Sequence, residues 1–279
     1  MPELPEVQNL INTLAPKVCG ATITGASVLC ERSIAEPNAG LFAEQVAGHT
    51  VLGIERRGKY LDFQLDSGWH LVVHLRMTGR LLIFEDGCPA PAWARVALFL
   101  ADGRTIWFSD LRKFGRLALT RRPAATIAEL GPEPFDPCLD EASFHARMAG
   151  RRRPIKTLLL DQAFIAGLGN IYADESLFEA GIHPLTPAGS LSRKQAATLL
   201  ASIRAVLQRA IANRGTTLRD YVDAEGRRGE NQEHLNVYGR NGQPCRRCQT
   251  TIQRLRLAGR STCFCPACQP LASEGQHPE

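Results

Sequence analysis

The spacing of hydrophobic and polar positions changes along this chain. Val7, Leu10, Ile11 and Leu14 recur at i, i+3, i+4 and i+7, which predicts a short amphipathic helix at the N-terminus. Pro5 suits its first turn, Glu3 and Glu6 suit the positive end of its dipole, and Pro16 is expected to end it. From about residue 21 to 120 the period falls to two. Examples are Tyr60-Leu61-Asp62-Phe63-Gln64-Leu65 and the run from Leu98 to Phe108 around the turn Asp102-Gly103, so this part reads as a β domain. Pro123, Gly131, Pro132, Pro134 and Pro137 then break both helix and strand, which places a linker at 123–141. Helical spacing returns over 142–151, 155–165, 170–180 and 191–213, and a cysteine-rich hairpin closes the chain. The expected organisation is α+β and multidomain: an N-terminal β-sandwich domain with its helix (1–122), the linker, a helical domain (142–235), a β-hairpin finger (236–270) and a flexible tail (271–279).

Composition adds little to that picture until it is resolved by position. The chain has 279 residues, 44% hydrophobic and 22% charged, ordinary values for about two globular domains. Its formal charge is +5. Between His234 and Ser273 there is no Asp or Glu, while Arg240, Arg246, Arg247, Arg254, Arg256 and Arg260 supply more positive charge than the chain's net excess. The remainder is therefore close to neutral, and any anionic partner is expected to meet the C-terminal hairpin. No run approaches 18 apolar residues and no basic flank precedes an apolar N-terminal segment, so a cytoplasmic location is the expectation.

Five of the nine cysteines lie between 245 and 268. Cys245-Arg-Arg-Cys248 and Cys265-Pro-Ala-Cys268 are two CxxC knuckles at the spacing of a four-thiolate site, which predicts one structural Zn2+ held by Cys245, Cys248, Cys265 and Cys268. Cys263 falls outside the pattern. Between the knuckles Ile252, Arg254 and Arg256 alternate with Gln253, Leu255 and Leu257 before the turn Ala258-Gly259-Arg260. A zinc-stapled hairpin with Arg near its tip can reach a nucleic-acid backbone, and it is equally compatible with a purely structural zinc ribbon.

Upstream, Asp161 to Tyr172 reads as helix, glycine turn, helix, with Asn170 expected to cap the second helix where free N–H groups attract phosphate. Arg151-Arg152-Arg153 and Lys156 precede it. At the other end of the chain, removal of Met1 exposes Pro2 as a secondary amine. Such an amine, next to Glu3, can attack an aldehyde-like carbon and form a Schiff base.

Taken together, these residues resemble the formamidopyrimidine-DNA glycosylase family. The resemblance rests on Met1-Pro-Glu-Leu-Pro-Glu-Val7, Ile155-Lys156 through Asp161-Gln162, and Gly167-Leu-Gly-Asn-Ile-Tyr172. Asp174-Glu-Ser-Leu-Phe178, Ile182-His-Pro184, Val237-Tyr-Gly-Arg240 and the finger Cys245 to Cys268 extend it in order across nearly the whole chain. The resemblance implies a base-excision enzyme that removes oxidised purines, 8-oxoguanine and formamidopyrimidines, from double-stranded DNA and then cleaves the abasic strand. It also implies the fold: the β-sandwich followed by a helix-two-turn-helix domain and the zinc finger.

In that family the mature N-terminal proline attacks C1′, expels the base and drives β- and δ-elimination through the Schiff base. By position the resemblance makes Pro2 the nucleophile, Glu3 the general acid, Lys59 the proton donor for β-elimination and Arg260 the group for δ-elimination. Met77, Arg112 and Phe114 match the trio that fills the space left by the flipped base. Without the resemblance, Met77 and Phe114 read as core residues. Glu6, His74, Arg151, Lys156, Asn170 and Glu175 match positions at the DNA backbone or active site, and Trp93 stands where the family has a DNA-contacting His.

Other departures are Gln8 for Glu, Leu111 for Pro, and Gly229-Glu230-Asn231-Gln232 in the loop that covers the lesion, where an acidic residue is expected to alter how an oxidised purine is gripped. Leu4 argues against the oxidised-pyrimidine branch, which carries Gly there. A zinc-containing protein that binds damaged DNA without catalysis is the alternative from a different class. A monomer is expected.

Overall fold

In a computed structural model, residues 1–122 and 127–271 are described. Residues 123–126 of the expected linker and 272–279 of the expected tail lie outside them. The described residues form two compact units, one within 1–128 with 210–232, the other within 129–209 with 233–271.

The first unit opens with helix α1, Leu4–Val18. Glu3 caps it, and a reciprocal capping box forms with Glu6, the Glu3 side chain accepting from the Glu6 N–H while Glu6 accepts from Glu3 N. Pro16 does not end the helix. It lies in the last turn, where it removes a single backbone donor, and the chain continues to Val18, which is fully buried.

Nine strands follow: β1 Ile23–Val28, β2 Ile34–Glu36, β3 Val51–Arg57, β4 Tyr60–Leu65, β5 His70–His74, β6 Gly79–Phe84, β7 Ala94–Leu100, β8 Thr105–Asp110 and β9 Arg116–Thr120. A second helix, α2, spans Ala39–Val46. The strands form a sheet of order β2-β9-β5-β4-β3 and another of order β1-β7-β8-β6.

The two sheets share one core. Leu61, Phe63, Leu71, Val73, Leu117 and Leu119 of the first meet Val96, Leu98, Ile106 and Phe108 of the second. Val7, Leu10, Ile11 and Leu14 bring the α1 stripe into the same cluster. The alternation along β4, buried at Leu61, Phe63 and Leu65, is the period-two signal turned into one wall of a sandwich.

Residues 210–232, grouped by their sequence with the helical segment, pack in this first unit. The Thr216 N–H donates to Glu6 and the Ala224 N–H to the Thr13 hydroxyl, so two turns of α1 fix the returning loop.

The second unit contains α3 Glu141–Met148, α4 Ile155–Leu159, α5 Asn170–Glu179, α6 Arg193–Ala212 as far as Arg209, and the hairpin strands β10 Gln253–Leu257 and β11 Arg260–Phe264. Helix α4 stops well short of residue 165. Asp161 accepts from the Ala163 N–H, and Gln162 bonds both the Gly167 N–H and the Leu168 carbonyl. Side-chain bonds thus join the backbone bonds from the Phe164 and Ile165 N–H groups to Asp161 O in closing this turn. Helix α6 opens on a capping box between Ser192 and Gln195.

The proline-rich stretch is pinned from Gly131 onward. The Gly131 N–H donates to Gln162 O, the Ala166 N–H to Pro132 O, and Arg204 donates to the carbonyls of Pro134 and Leu139. A Cβ on Gly131 meets Ala163 O at 2.4 Å. Gly131→Ala is expected to cost about 1–3 kcal/mol, because the clash is with backbone that cannot swing aside, and a lowered urea midpoint measures it.

Candidate active site and nucleic-acid interface

At the N-terminus the side chains are held before any substrate arrives. Pro2 and Glu3 are buried, and Glu6 is 1% exposed. The Glu6 carboxylate accepts from Glu3 N at 2.8 Å and from Thr216 N at 2.7 Å, tying the start of α1 to the loop that returns at residue 216. Lys59, in the β3–β4 turn, is 6% exposed.

Its charge, with that of Arg76, falls on His74, which pairs across the sheet with Tyr60 and meets it ring edge to face. Burial first, then Arg76 and Lys59, pushes the His74 imidazole down to about 3. Since His74 Nδ1 accepts from the Arg76 N–H, the neutral ring carries its proton on Nε2. His74 therefore offers a neutral N–H donor and adds no positive charge.

Asp110, fully buried at the end of β8, organises the trio. Its carboxylate accepts from the Thr78 hydroxyl, the Arg112 N–H at 3.2 Å and the Gly115 N–H at 2.7 Å, so a single residue clamps the turn bearing Met77 and the turn bearing Arg112 and Phe114. Met77 and Phe114 are each 39% exposed, against the core placement their residue types suggest. Arg112 is exposed and lies 4.7 Å from the centre of the Phe114 ring. The adjoining residues Arg76 (φ 55°) and Lys113 (φ 58°) occupy the left-handed region, conformations that the Asp110 clamp and tight turns impose on non-glycine residues. Trp93 is 57% exposed, with φ 62°, and lines a small cavity with Leu111, Arg80 and Asp220.

In the second unit Asn170 is the first residue of α5 and Gly169 is its cap. Its side chain does not cap the helix; Asn170 Nδ2 donates to Ser261 O of the hairpin at 2.9 Å. Arg151 is exposed and donates to Arg147 O. Lys156 is fully buried. Its Nζ reaches Asp174 at 2.7 Å, Ser261 O at 3.0 Å and the Thr262 hydroxyl at 2.8 Å. Burial pushes the Asp174 carboxyl up to about 7 against the pull of Lys156 and the Cys263 N–H. Glu175, 2% exposed, accepts from the backbone N–H groups of Asn236, Val237 and Tyr238 and so shapes the loop that enters the finger.

Arg254, Arg256 and Arg260 are exposed on the hairpin. At its base the sulfurs of Cys245, Cys248, Cys265 and Cys268 all lie within 4.8 Å of one another. Asp110 and Asp174 are the organising residues that motif reading passed over. Each is an acid at or beside a motif whose neighbours look functional, and burial alone distinguishes them.

Three family descriptions match in sequence order. They are the formamidopyrimidine-DNA glycosylase N-terminal domain at residues 1–117, the formamidopyrimidine-DNA glycosylase H2TH domain at 130–222, and the zinc finger found in FPG and IleRS at 242–271. A formamidopyrimidine-DNA glycosylase of Chloroflexus aggregans is 49% identical over 97% of this chain and 99% of its own length. One of Moorella thermoacetica is 50% identical over 92% and 95%. This chain belongs to the formamidopyrimidine-DNA glycosylase family.

Solved structures of Lactococcus lactis Fpg superpose closely on the chain. The complex with abasic-site DNA gives a TM-score of 0.90 at 36% identity, covering 96% of this chain and all of that one. The complex with DNA containing an oxidised pyrimidine gives 0.89 at 35%, covering 97% and all of that one.

The glycosylase finger fits zinc. Four thiolates about 2.3 Å from a tetrahedral ion stand about 3.8 Å apart. Here the Cys245–Cys268, Cys248–Cys265 and Cys248–Cys268 sulfur separations are 3.9, 3.5 and 3.4 Å. Cys263 is buried and turns its N–H to Asp174, apart from the four.

Two family departures acquire partners. Gln8 accepts from Arg56 Nε at 3.1 Å, and Glu230 is ion-paired with Arg214. Asn231 is buried, donating to the Thr216 hydroxyl.

Two measurements follow from this geometry. Elemental analysis is expected to find one zinc per chain, and less in Cys265→Ser, whose hydroxyl is a poor substitute for a thiolate. His74 takes a proton only near pH 3, whereas in an unfolded chain it does so near 6.5. Its contribution to stability is complete above pH 6.5 and is lost as the pH falls from there toward 3. Nitrogen NMR of the ring is expected to show the neutral Nε2–H form throughout pH 5–8.

Proposed function

We propose that this chain excises oxidised purines, 8-oxoguanine and formamidopyrimidines, from duplex DNA through an imine on Pro2, and that the residues described above carry the steps. The chain is a DNA glycosylase and abasic-site lyase of base excision repair, as its three-part family match and near full-length relatives require. Its structural neighbours include Lactococcus lactis Fpg bound to Fapy-dG-containing DNA and to abasic-site DNA.

The observation that carries the catalytic proposal is the buried Glu3–Glu6–Thr216 arrangement, which fixes the backbone next to Pro2. With Met1 removed, the Pro2 amine bonds to C1′, the bond from C1′ to the base breaks, and Glu3 protonates the sugar ring oxygen as the ring opens. The resulting imine withdraws electrons and permits strand cleavage, with Lys59 as proton donor for β-elimination and Arg260 serving δ-elimination.

Met77, Arg112 and Phe114 enter the space vacated by the flipped base, Arg112 meeting the orphaned partner's edge. His74, Trp93, Arg151 and Asn170 contact the DNA backbone. Glu6 fixes the backbone beside Pro2, and Glu175 fixes the segment that enters the finger. Zinc, held by the four cysteines, keeps the finger folded and takes no part in the chemistry. Glu230, in the covering loop, is ion-paired with Arg214, which partly offsets its charge there. The cytoplasm is the proposed compartment, where DNA is present and thiols stay reduced.

Borohydride trapping on a duplex containing 8-oxoguanine opposite cytosine is expected to give a covalent adduct, with Pro2 verified as the N-terminal residue. No adduct leaves only the non-catalytic damage binder. Glu3→Gln is expected to slow base release by about 10²–10⁴-fold. Arg260→Ala is expected to weaken DNA binding and reduce the slope of log affinity against log salt by about 1.

A further inference from the structure

The Lys156–Asp174 pair is buried without an obvious stabilising return. Both side chains are essentially inaccessible, 0% and 1% exposed, and stand 2.7 Å apart. Withdrawing two charges from water offsets much or all of their attraction, and a well-packed apolar pair is often as stable. Such a pair is informative mainly through what it orients, and here both side chains bond to one segment of the hairpin.

Lys156 Nζ donates to Ser261 O and to the Thr262 hydroxyl. Asp174 accepts from the Cys263 N–H at 3.0 Å, and Thr262 itself is fully buried. Asn170, one turn before Asp174 on α5, donates to the same Ser261 carbonyl. Helices α4 and α5 thus hold three consecutive residues of β11, immediately after the exposed Arg260. The zinc site lies beyond the other end of that strand at Cys265 and leaves the Arg260 end to other restraints.

We propose that Asp174 is a positioning residue for DNA binding: through Lys156 and the Cys263 N–H it locks β11 in the register at which Arg260 and Asn170 meet the same stretch of phosphate backbone. Lys156, fully enclosed in this network, then acts on the DNA through the hairpin. The proposal rests on the hairpin's place at the DNA, and the experiment keeps the two claims separate.

Asp174→Asn keeps the shape and the acceptor for Cys263 N–H while removing the charge that Lys156 faces. Thr262→Val removes the side-chain partner of Lys156 on the strand, keeping its bond to the Ser261 carbonyl, and leaves Asp174 intact. Zinc content and urea midpoint are measured for each full-length protein. Affinity for a duplex bearing a tetrahydrofuran abasic analogue is measured over a series of salt concentrations, alone and combined with Arg260→Ala.

Asp174→Asn is expected to weaken binding about tenfold, to lower the salt slope by about 1, and to add nothing further in the Arg260→Ala background. On an abasic duplex it is expected to shift products from δ- toward β-elimination, as Arg260→Ala does, a change that general loosening of the fold does not produce. Binding within twofold of wild type at full zinc content overturns the proposal, as do effects that multiply with Arg260→Ala. Should Asp174→Asn lose zinc or fold, Thr262→Val decides by the same criteria. If Arg260→Ala itself binds like wild type, the reading that places Arg260 at the DNA fails, and this proposal with it; if Arg260→Ala weakens binding and Asp174→Asn does not, this proposal alone fails.

Discussion

A carboxylate withdrawn from water must be met by donors, and in this protein most of those donors are backbone N–H groups of loops. Glu6 takes the N–H groups of Glu3 and Thr216, Asp110 those of Arg112 and Gly115, and Glu175 those of Asn236, Val237 and Tyr238, while Asp174 takes that of Cys263 in strand β11. Hydrogen bonds to an ionised acceptor are shorter and stronger than neutral ones, and leaving such a group unsatisfied in the interior is costly. Each acid therefore holds its loop close to a single conformation. Glu6 does so beside Pro2, Asp110 beside Met77, Arg112 and Phe114, and Asp174 beside Arg260, while Glu175 does so where the chain enters the finger.

This explains how exposed groups can be rigid. Met77 and Phe114 forgo burial, and the neighbouring Arg76 and Lys113 accept left-handed backbone, so their turns gain little from local preference. Asp110 supplies the restraint from below. Local choices that look unfavourable in isolation are the ones expected where a surface must be prepared for a ligand. His74 follows the same logic: burial beside Lys59 and Arg76 leaves a neutral donor whose proton position is set by the Arg76 N–H.

Charge is divided in a corresponding way. The hairpin segment contains no acid of its own, although Arg247 pairs with Glu179 of α5, and it obtains its shape from four cysteines and from α4 and α5. The N-terminal segment carries the buried carboxylates Glu3 and Glu6. Under the proposed function, long-range attraction to a polyanion and local proton transfer fall to separate parts of the chain.

Periodicity, the CxxC spacing and contiguous motifs were enough to determine the sandwich, the finger, its four ligands and the family, because each is written in short-range order. The extent of α4, the cap of α5 and the fate of Pro16 were not legible, since side-chain bonds from Asp161 and Gln162 and the burial of Val18 overrode local preference. Nor could sequence show that residues 210–232 pack with the first unit, or that Lys156 is enclosed while Met77 is exposed. Those outcomes depend on contacts between residues as far apart as Glu6 and Thr216 or Lys156 and Thr262, and only the folded chain brings such partners within hydrogen-bond reach.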